Sequence, residues 1–287
     1  MDMPALDMLV STAWLADQLG AADLRIVDAT AFLPGTPRDP RAEYLDAHIP
    51  GALFLDLPTL ADTDAPLPAT VPTNAQFAQR MVALGISETD RIVVYDNSPL
   101  LSSGRAWWLL RLFGARQVAI LDGGMQRWLA EGRPTESGEG LPTAVSKPFA
   151  AQRDDSQVRD KADMLANLTS CAAQVVDARS GDRFRGEVAE PRPGMAEGHI
   201  PGSRNIPTGD LLDENHLWKR GDALRAAFEA AGVDLAQPLI MTCGSGVTAC
   251  NLLFGAALLG KHDVTIYDGS WSEWGADPAT PKATGPA

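Results

Sequence analysis

The sequence contains little cysteine. Only three cysteines occur among 287 residues, Cys171, Cys243 and Cys250. An odd and sparse set of this kind does not form the disulfide framework of a small secreted protein. There is no Cys-x-x-Cys pair and no paired Cys/His spacing of the zinc-binding type, and the four histidines are scattered. We therefore expect no metal site.

Excess positive charge and long apolar runs are also missing. The formal net charge is −13, which argues against binding to nucleic acid or to an anionic membrane surface. No uncharged apolar run approaches the ~18 residues that a membrane-spanning helix needs. The first twenty residues carry acidic side chains where a signal peptide needs basic ones. We expect a cytoplasmic protein with no nucleic-acid partner and no membrane partner.

The sequence does contain an internal repeat. The first half has "RIVDAT", "HIPGA", "RIVVYDN" and "AILDGGMQRW", and the second half has "QVVDAR", "HIPGS", "PLIMTC" and "TIYDGSWSEW" in the same order. His48 and His199 are 151 positions apart, and Trp128 and Trp274 are 146 apart. Such a period is far longer than that of a solenoid repeat. It indicates two copies of one domain.

Each copy has the pattern of an α/β domain. Short β-branched runs alternate with helical patterns over 74–84, 104–113, 222–231 and 248–259. Strands and helices that alternate at this length predict a mainly parallel sheet flanked by helices. The segment "TESGEGLPTAVSKP" has no periodicity and is rich in Gly, Pro and Ser, so it predicts a linker. We expect an N-terminal domain at 1–134, the linker at 135–148 and a C-terminal domain at 149–287.

One loop of the second copy has the composition of a reactive site. "TCGSGVTAC" at 242–250 stands between an apolar run and a helical pattern. Backbone N–H groups converge on an anion at such a place, and the helix dipole adds to the effect. A thiol held there loses its proton more readily and becomes a nucleophile. The first copy has Asn97 at the position of Cys243. We therefore favour a reactive second copy and an inert first copy; the alternative is a tight structural turn with a small apolar cysteine.

Other chemistries of glycine-rich loops do not fit. A cysteine-dependent phosphatase needs an arginine six residues after the nucleophile, where this chain has Ala249. A nucleophile elbow centred on Ser245 needs glycine where Cys243 stands. The loop also lacks the lysine of a P-loop. What remains is a thiolate loop without a phosphate-binding arginine.

These motifs resemble those of a known family. The two "HIPG" sequences, "CGSGVTAC" and "YDGSW" are similar to the rhodanese family of sulfurtransferases, and within it to the 3-mercaptopyruvate sulfurtransferases. The resemblance extends from about Asp23 to Trp274. It implies two tandem rhodanese-like domains, of which the C-terminal domain is catalytic and the N-terminal domain is not.

The resemblance also implies a reaction. Sulfur moves from 3-mercaptopyruvate to Cys243 as a persulfide, pyruvate is released, and a small thiol, thioredoxin or cyanide accepts the sulfur. Backbone amides of the active-site loop, formed by Gly244, Ser245, Gly246, Val247 and Thr248, stabilise the thiolate and the persulfide. No metal or organic cofactor is required. A thiosulfate:cyanide sulfurtransferase and a non-catalytic interaction module are the alternatives.

The donor is predicted from charge. Thiosulfate-using members of the family carry basic residues after the cysteine, whereas Gly244 and Ser245 are neutral. The segment "DRFRGEVAEPRPG" matches the family stretch whose two arginines hold the mercaptopyruvate carboxylate, and by that match they are Arg185 and Arg192. Arginine suits this role because its planar fork fits a carboxylate.

Some members pair the loop serine with a histidine from the N-terminal half. Here Ala69 occupies the position expected for that histidine. We therefore expect that Ser245 is not part of a proton relay. His48 and His199 occur in both copies, including the inert one, so we interpret them as structural residues.

Overall fold

The computed structural model describes residues 6–142 and 148–287. These residues divide into two compact units. Of the described residues, the first comprises 6–63, 71–142 and 148–154, and the second comprises Asp64–Thr70 and Asp155–Ala287. Part of the predicted linker, residues 143–147, lies outside the described residues, as do residues 1–5 of the predicted N-terminal domain.

Residues 149–154, which the sequence analysis assigns to the C-terminal domain, pack with the first unit. The buried ring of Phe149 meets Phe77 edge to face. The backbone N–H groups of Gln152 and Asp154 donate to the carbonyls of Phe113 and Leu112. The boundary at residue 149 is predicted from the composition of residues 135–148, which does not show the unit against which a neighbouring segment packs.

The first unit is built around a parallel sheet. Its strands, in chain order, are β1 (Leu9–Val10), β2 (Leu24–Asp28), β3 (Ala52–Phe54), β4 (Arg91–Tyr95) and β5 (Val118–Leu121). Its helices are α1 (Thr12–Gln18), α2 (Pro40–Asp46), α3 (Asn74–Ala83), α4 (Ser103–Leu112) and α5 (Gly124–Ala130). The strand order is β1-β5-β4-β2-β3, and every pair is parallel.

The second unit repeats this plan. Its strands are β6 (Val158–Arg159), β7 (Gln174–Asp177), β8 (Arg204–Asn205), β9 (Leu239–Thr242) and β10 (Val264–Tyr267). Its helices are α6 (Lys161–Ser170), α7 (Gly181–Arg185), α8 (Gly221–Ala230), α9 (Ala249–Leu258) and α10 (Ser270–Trp274), with 3₁₀ helices at Asp155–Gln157 and Thr208–Leu211. The order β6-β10-β9-β7-β8 matches the first sheet strand for strand. The predicted duplication and the α/β fold class are therefore confirmed.

The local sequence explains most of these elements. The central strands β4 and β9 consist mainly of apolar residues and are buried almost throughout, as expected for strands covered on both faces. Capping boxes at Thr73 and Asp160 begin α3 and α6. Helix α9 is rich in Ala and Leu and is buried along nearly its whole length. Among the described residues, no helix is both long and apolar enough to span a membrane.

The two histidines of the repeated "HIPG" sequence have matching structural environments. His48 stacks on Tyr44 and its Nδ1 is 2.8 Å from the Tyr44 carbonyl, while His199 stacks on Phe184 and its Nδ1 is 2.8 Å from the Phe184 carbonyl. Both histidines are buried. Burial lowers the pKa of His199, which favours its neutral form. These contacts are those expected of structural residues.

Candidate active site

Cys243 lies directly after the central strand of the second sheet. Strand β9 ends at Thr242 and α9 begins at Ala249, so the predicted loop occupies the carboxyl end of the sheet, where α/β proteins bind ligands. Cys243 is 2% exposed. Gly246 has φ of 77°, a left-handed conformation that favours glycine and turns the loop toward the helix.

The first turn of α10 holds the loop in place. The Cys243 N–H donates to Ser270 Oγ over 3.3 Å, and the Cys243 carbonyl accepts from the Trp271 N–H over 2.9 Å. The Gly244 carbonyl accepts from the Ser272 N–H at 2.9 Å and from the Ser272 hydroxyl at 2.6 Å. The "GSWS" sequence thus fixes both residues of the Cys-Gly pair. Because β9 and β10 pair in parallel, their carboxyl ends lie side by side, and so do the Cys243 loop and α10 that follow them.

The other cysteines have different surroundings. Cys250 is fully buried in α9, and its thiol donates to the Gly246 carbonyl at 3.2 Å. Cys171 is exposed and ends α6 in a left-handed conformation. All three cysteines are free. Only Cys243 combines a loop position with neighbouring arginines.

Arg192, which the sequence predicts as a carboxylate ligand, lies at this loop. Its Nη1 donates to Ser272 Oγ at 2.6 Å, and the same oxygen donates to the Gly244 carbonyl. Burial lowers the pKa of Arg192, whereas the electrostatic interaction with Cys243 opposes that shift. A cation therefore stands within electrostatic reach of the nucleophile.

The second arginine at the loop is Arg183. Its Nη2 is so close to Gly244 that a Cβ built on this glycine would lie 3.2 Å away. Arg183 forms an ion pair with Glu190, a carboxylate whose side chain is 1% exposed. The buried Nε of Arg183 has no hydrogen-bond partner among the described residues. The Nη2 group places the positive charge of Arg183 at the loop, where an anionic substrate would engage it.

Arg185, the other arginine predicted from the sequence, has a different environment. Its Nε and Nη2 donate to Glu187 at 2.8 and 2.7 Å, and its side chain is 40% exposed. Consecutive side chains of a helix are about 100° apart, so Arg183 and Arg185 point in nearly opposite directions from α7. Between them, Phe184 is buried against His199. The structure therefore brings Arg183 and Arg192 to the loop and leaves Arg185 at the surface.

A buried ion-pair network supports Arg183. Arg179 binds Asp177 through Nε and Nη2 and binds Glu190 through Nη1, with the shortest N–O distance to each carboxylate being 2.7 Å. Its guanidinium also lies 4.4 Å from the centre of the Trp271 ring. Glu190 thus joins Arg179 to Arg183. The sequence analysis did not predict this network. The order Arg-Phe-Arg in "DRFRG" does indicate that the two arginines face opposite ways, because the apolar residue between them is buried.

The equivalent loop of the first unit is closed by its own side chains. The buried Asp96 carboxylate accepts from the backbone N–H groups of Ser98 and Ser103, at the start of α4. The Asn97 N–H donates to Thr30 Oγ1. Ser98 donates to the Ala31 carbonyl. An internal carboxylate therefore takes the amides that could otherwise receive an external anion.

Ser245 is partly buried at the site loop. Among the described residues it forms no hydrogen bond with any histidine, since His48 and His199 are engaged elsewhere and His216 and His262 are exposed. Ala69 has φ of 59° and belongs to the segment Asp64–Thr70. Within residues 6–142 and 148–287, no three His, Cys, Asp or Glu side chains are arranged to hold a metal ion.

Comparisons with known proteins identify the family of the chain. The rhodanese-like domain matches the chain twice, over residues 11–131 and 160–277. The chain is 43% identical to a mouse protein named 3-mercaptopyruvate sulfurtransferase and 44% identical to a bovine protein named thiosulfate sulfurtransferase; each match covers 93% of this chain and 91% of the relative. The crystal structure of SseA from Escherichia coli, described as a 3-mercaptopyruvate sulfotransferase, superposes with a TM-score of 0.83 at 40% identity. That match covers 93% of this chain and 99% of SseA.

Proposed function

Because this chain belongs to the rhodanese family, with two rhodanese-like domains, we propose that it is a 3-mercaptopyruvate sulfurtransferase whose nucleophile is Cys243. The observation that carries the proposal is the convergence of Arg183 and Arg192 on a neutral cysteine loop. The second unit is the catalytic domain in this proposal. The first unit is non-catalytic, because Asn97 stands at the nucleophile position and Asp96 occupies the loop amides.

The first half-reaction forms a persulfide. The Cys243 thiolate donates an electron pair to the sulfur of 3-mercaptopyruvate, and a sulfur–sulfur bond forms. The carbon–sulfur bond breaks, and its electron pair leaves on carbon as the enolate of pyruvate, which takes a proton from solvent. The amides of residues 244–248 stabilise the charge on the sulfur.

The carboxylate of the donor is held by the two arginines. Arg192 uses one of its five N–H donors on Ser272, and Arg183 presents its Nη2 at Gly244. This geometry supports Arg183 and Arg192 as the carboxylate ligands, with Arg183 in place of the Arg185 inferred from the family stretch.

Thiosulfate is the second candidate donor. The chain is as similar to proteins named thiosulfate sulfurtransferase as to those named 3-mercaptopyruvate sulfurtransferase, so identity does not choose between them. The composition of the loop favours 3-mercaptopyruvate, because Gly244 and Ser245 add no positive charge to bind the thiosulfate dianion. We therefore assign 3-mercaptopyruvate as the better donor.

In the second half-reaction an acceptor removes the outer sulfur. A thiolate of a small thiol or of thioredoxin, or cyanide, attacks this sulfur, and the electron pair of the broken sulfur–sulfur bond restores the Cys243 thiolate. Cyanide yields thiocyanate, and a thiol yields a persulfide of its own. No metal or organic cofactor takes part in this scheme.

The test measures the reaction products and the mass of the protein. Pyruvate release from 3-mercaptopyruvate is measured beside thiocyanate formation from thiosulfate and cyanide, at equal enzyme concentration. Intact mass after donor alone should rise by one sulfur atom that maps to Cys243. Cys171→Ser and Cys250→Ser are the matched controls and should still gain the sulfur, whereas Cys243→Ser should not. Faster turnover of thiosulfate, or sulfur at another cysteine, would contradict the assignment.

A further inference from the structure

Ser272 joins the nucleophile loop to an arginine. Its side chain is buried in the first turn of α10, with 7% of the residue exposed. Its Oγ accepts from Arg192 Nη1 at 2.6 Å and donates to the Gly244 carbonyl at 2.6 Å. One hydroxyl thus contacts both the residue after the nucleophile and a cation beside it.

The orientation of this hydroxyl is fixed. A serine hydroxyl has one proton and two lone pairs, and here the proton goes to the Gly244 carbonyl. A lone pair must therefore face the guanidinium. The backbone N–H of Ser272 donates to the same carbonyl at 2.9 Å, so the loop remains attached to α10 even without the hydroxyl. The contribution that depends on the hydroxyl alone is the anchor for Arg192.

Arg192 has little else to hold it. Among the described residues, Ser272 is its only hydrogen-bond partner, and it lies in an irregular segment between α7 and β8. A long arginine side chain loses considerable rotamer freedom when it is fixed in one geometry. A partner that fixes it before the ligand arrives lowers that cost on binding.

We propose that Ser272 is a positioning residue that sets the affinity for the carboxylate of the sulfur donor by holding Arg192 in its binding geometry. The inference rests on the proposed function, because it assumes that Arg192 binds a carboxylate. Ser272 itself does not touch the reacting sulfur, so its removal acts on binding and not on the chemical step.

The experiment is a double-mutant cycle of Ser272→Ala and Arg192→Ala with 3-mercaptopyruvate as donor. Ser272→Ala should raise KM about threefold to tenfold, the effect of losing one hydrogen bond, and leave kcat nearly unchanged. In the Arg192→Ala background the same change should have no further effect on KM, because residues that act through one contact are not additive.

Ser203→Ala is the matched control. The Ser203 hydroxyl is also buried and also donates to a carbonyl, that of Ile200, but it forms no hydrogen bond with an arginine in the described part of the chain. This variant should lower the unfolding temperature without changing KM, so it separates a general loss of packing from loss of the Arg192 anchor. Unfolding temperature is measured for every variant.

The possible outcomes are distinct. Equal KM values for Ser272→Ala and wild type, a loss confined to kcat, or a full effect that persists without Arg192 would each overturn the role of Ser272. Failure of the wild type to release pyruvate from 3-mercaptopyruvate would instead overturn the proposed function.

Discussion

The sequence and the structure choose different arginines as the carboxylate ligand, Arg185 and Arg183. They are two residues apart in α7, yet Arg183 contacts the nucleophile loop and Arg185 pairs with the exposed Glu187. The match to the family stretch assigned Arg185 as the ligand, whereas Arg183, two residues earlier, is the arginine at the loop. The choice depends on which way the short helix faces, and burial of Phe184 against His199 sets that.

Substitution of the two arginines tests the choice directly. Arg183→Ala should lower kcat/KM for 3-mercaptopyruvate about tenfold to a hundredfold, because a charge-assisted contact contributes roughly 1.5–3 kcal/mol. Arg185→Ala removes the same charge from the same helix and should stay within about twofold of wild type, as expected for an exposed ion pair. Steady-state kinetics on both variants distinguish Arg183 from Arg185 as the carboxylate ligand. A large loss for Arg185→Ala and a small one for Arg183→Ala would restore Arg185, the assignment from the sequence.

Ser245 gives a second prediction for a single residue. Its hydroxyl has no histidine partner among the described residues, so it lacks the base that a relay needs. Ser245→Ala should keep most of the wild-type kcat with 3-mercaptopyruvate, since a simple hydrogen bond is worth about 1 kcal/mol. A general acid–base partner would cost ~10²–10⁴-fold. A thousandfold fall in kcat with an unchanged unfolding temperature would show that a relay exists.

The site could be predicted from the sequence only in part. Cys243 and its glycines are consecutive, so the sequence displays them together. Ser272 follows a different strand and reaches the loop only because β10 pairs with β9. Glu190 acts through a buried ion pair with Arg183. Contacts between distant segments, and the direction of side chains on a short helix, are not visible in a local pattern.

At the scale of the element, the ends of β2 and β7 show two ways to bury a carboxylate. Asp177 ends β7 and is bound by Arg179. Asp28 ends β2, where Thr30 stands at the corresponding position and donates through its N–H and its hydroxyl. Burial without a cation raises the pKa of Asp28 to about 6, partly opposed by the hydrogen bonds from Thr30.

This pKa predicts a pH dependence of stability. A raised carboxyl pKa means that the folded state holds the proton more tightly. The stability contributed by this group is therefore full below about pH 4 and is lost as pH rises to about 6, by about 3 kcal/mol in total. In the Asp28→Asn variant the amide oxygen can still accept both hydrogen bonds from Thr30, and the side chain does not titrate, so stability is not lost in this way as pH rises.

Chemical denaturation of wild type and Asp28→Asn at pH 4.5 and 7.5 measures the effect. The free energy of unfolding of the variant, relative to wild type, should increase by about 2 kcal/mol between the two pH values. Asp17→Asn, which removes an exposed carboxylate from α1 of the same unit, is the control for the change in net charge. Parallel pH profiles for wild type and Asp28→Asn would contradict the prediction.

The longer elements follow closely from the sequence. The predicted helices at 74–84, 104–113, 222–231 and 248–259 coincide with α3, α4, α8 and α9 to within one residue at either end. Strands β1, β6 and β8 have two residues each, which is too short to show a period of two. Pairing in the sheet, and not local propensity, defines them.

At the scale of the whole molecule, two copies of one fold differ at the loop that follows the central strand. We expect the internal carboxylate Asp96 to keep the first copy inert, so that restoring the nucleophile alone does not make it reactive. Asp96 already uses the amides of Ser98 and Ser103, which would otherwise stabilise a thiolate at position 97.

A transplanted cysteine tests this. Asn97→Cys in a Cys243→Ser background should gain no sulfur from 3-mercaptopyruvate and release no pyruvate above the Cys243→Ser level. Wild-type protein, which carries Cys243 in its own loop, is the positive control for mass analysis. Sulfur mapped to position 97 would mean that the first copy lacks only its nucleophile.

The close approach of Arg183 to Gly244 also constrains how such an enzyme can change its donor during evolution. A Cβ at position 244 would lie 3.2 Å from Arg183 Nη2, so a side chain introduced there requires the guanidinium to shift, and a basic one places two cations side by side. We therefore expect the effects of substitutions at positions 183 and 244 to depend on each other. A basic residue acquired at position 244 for a dianionic donor is expected to weaken the proposed contact of Arg183 with a carboxylate.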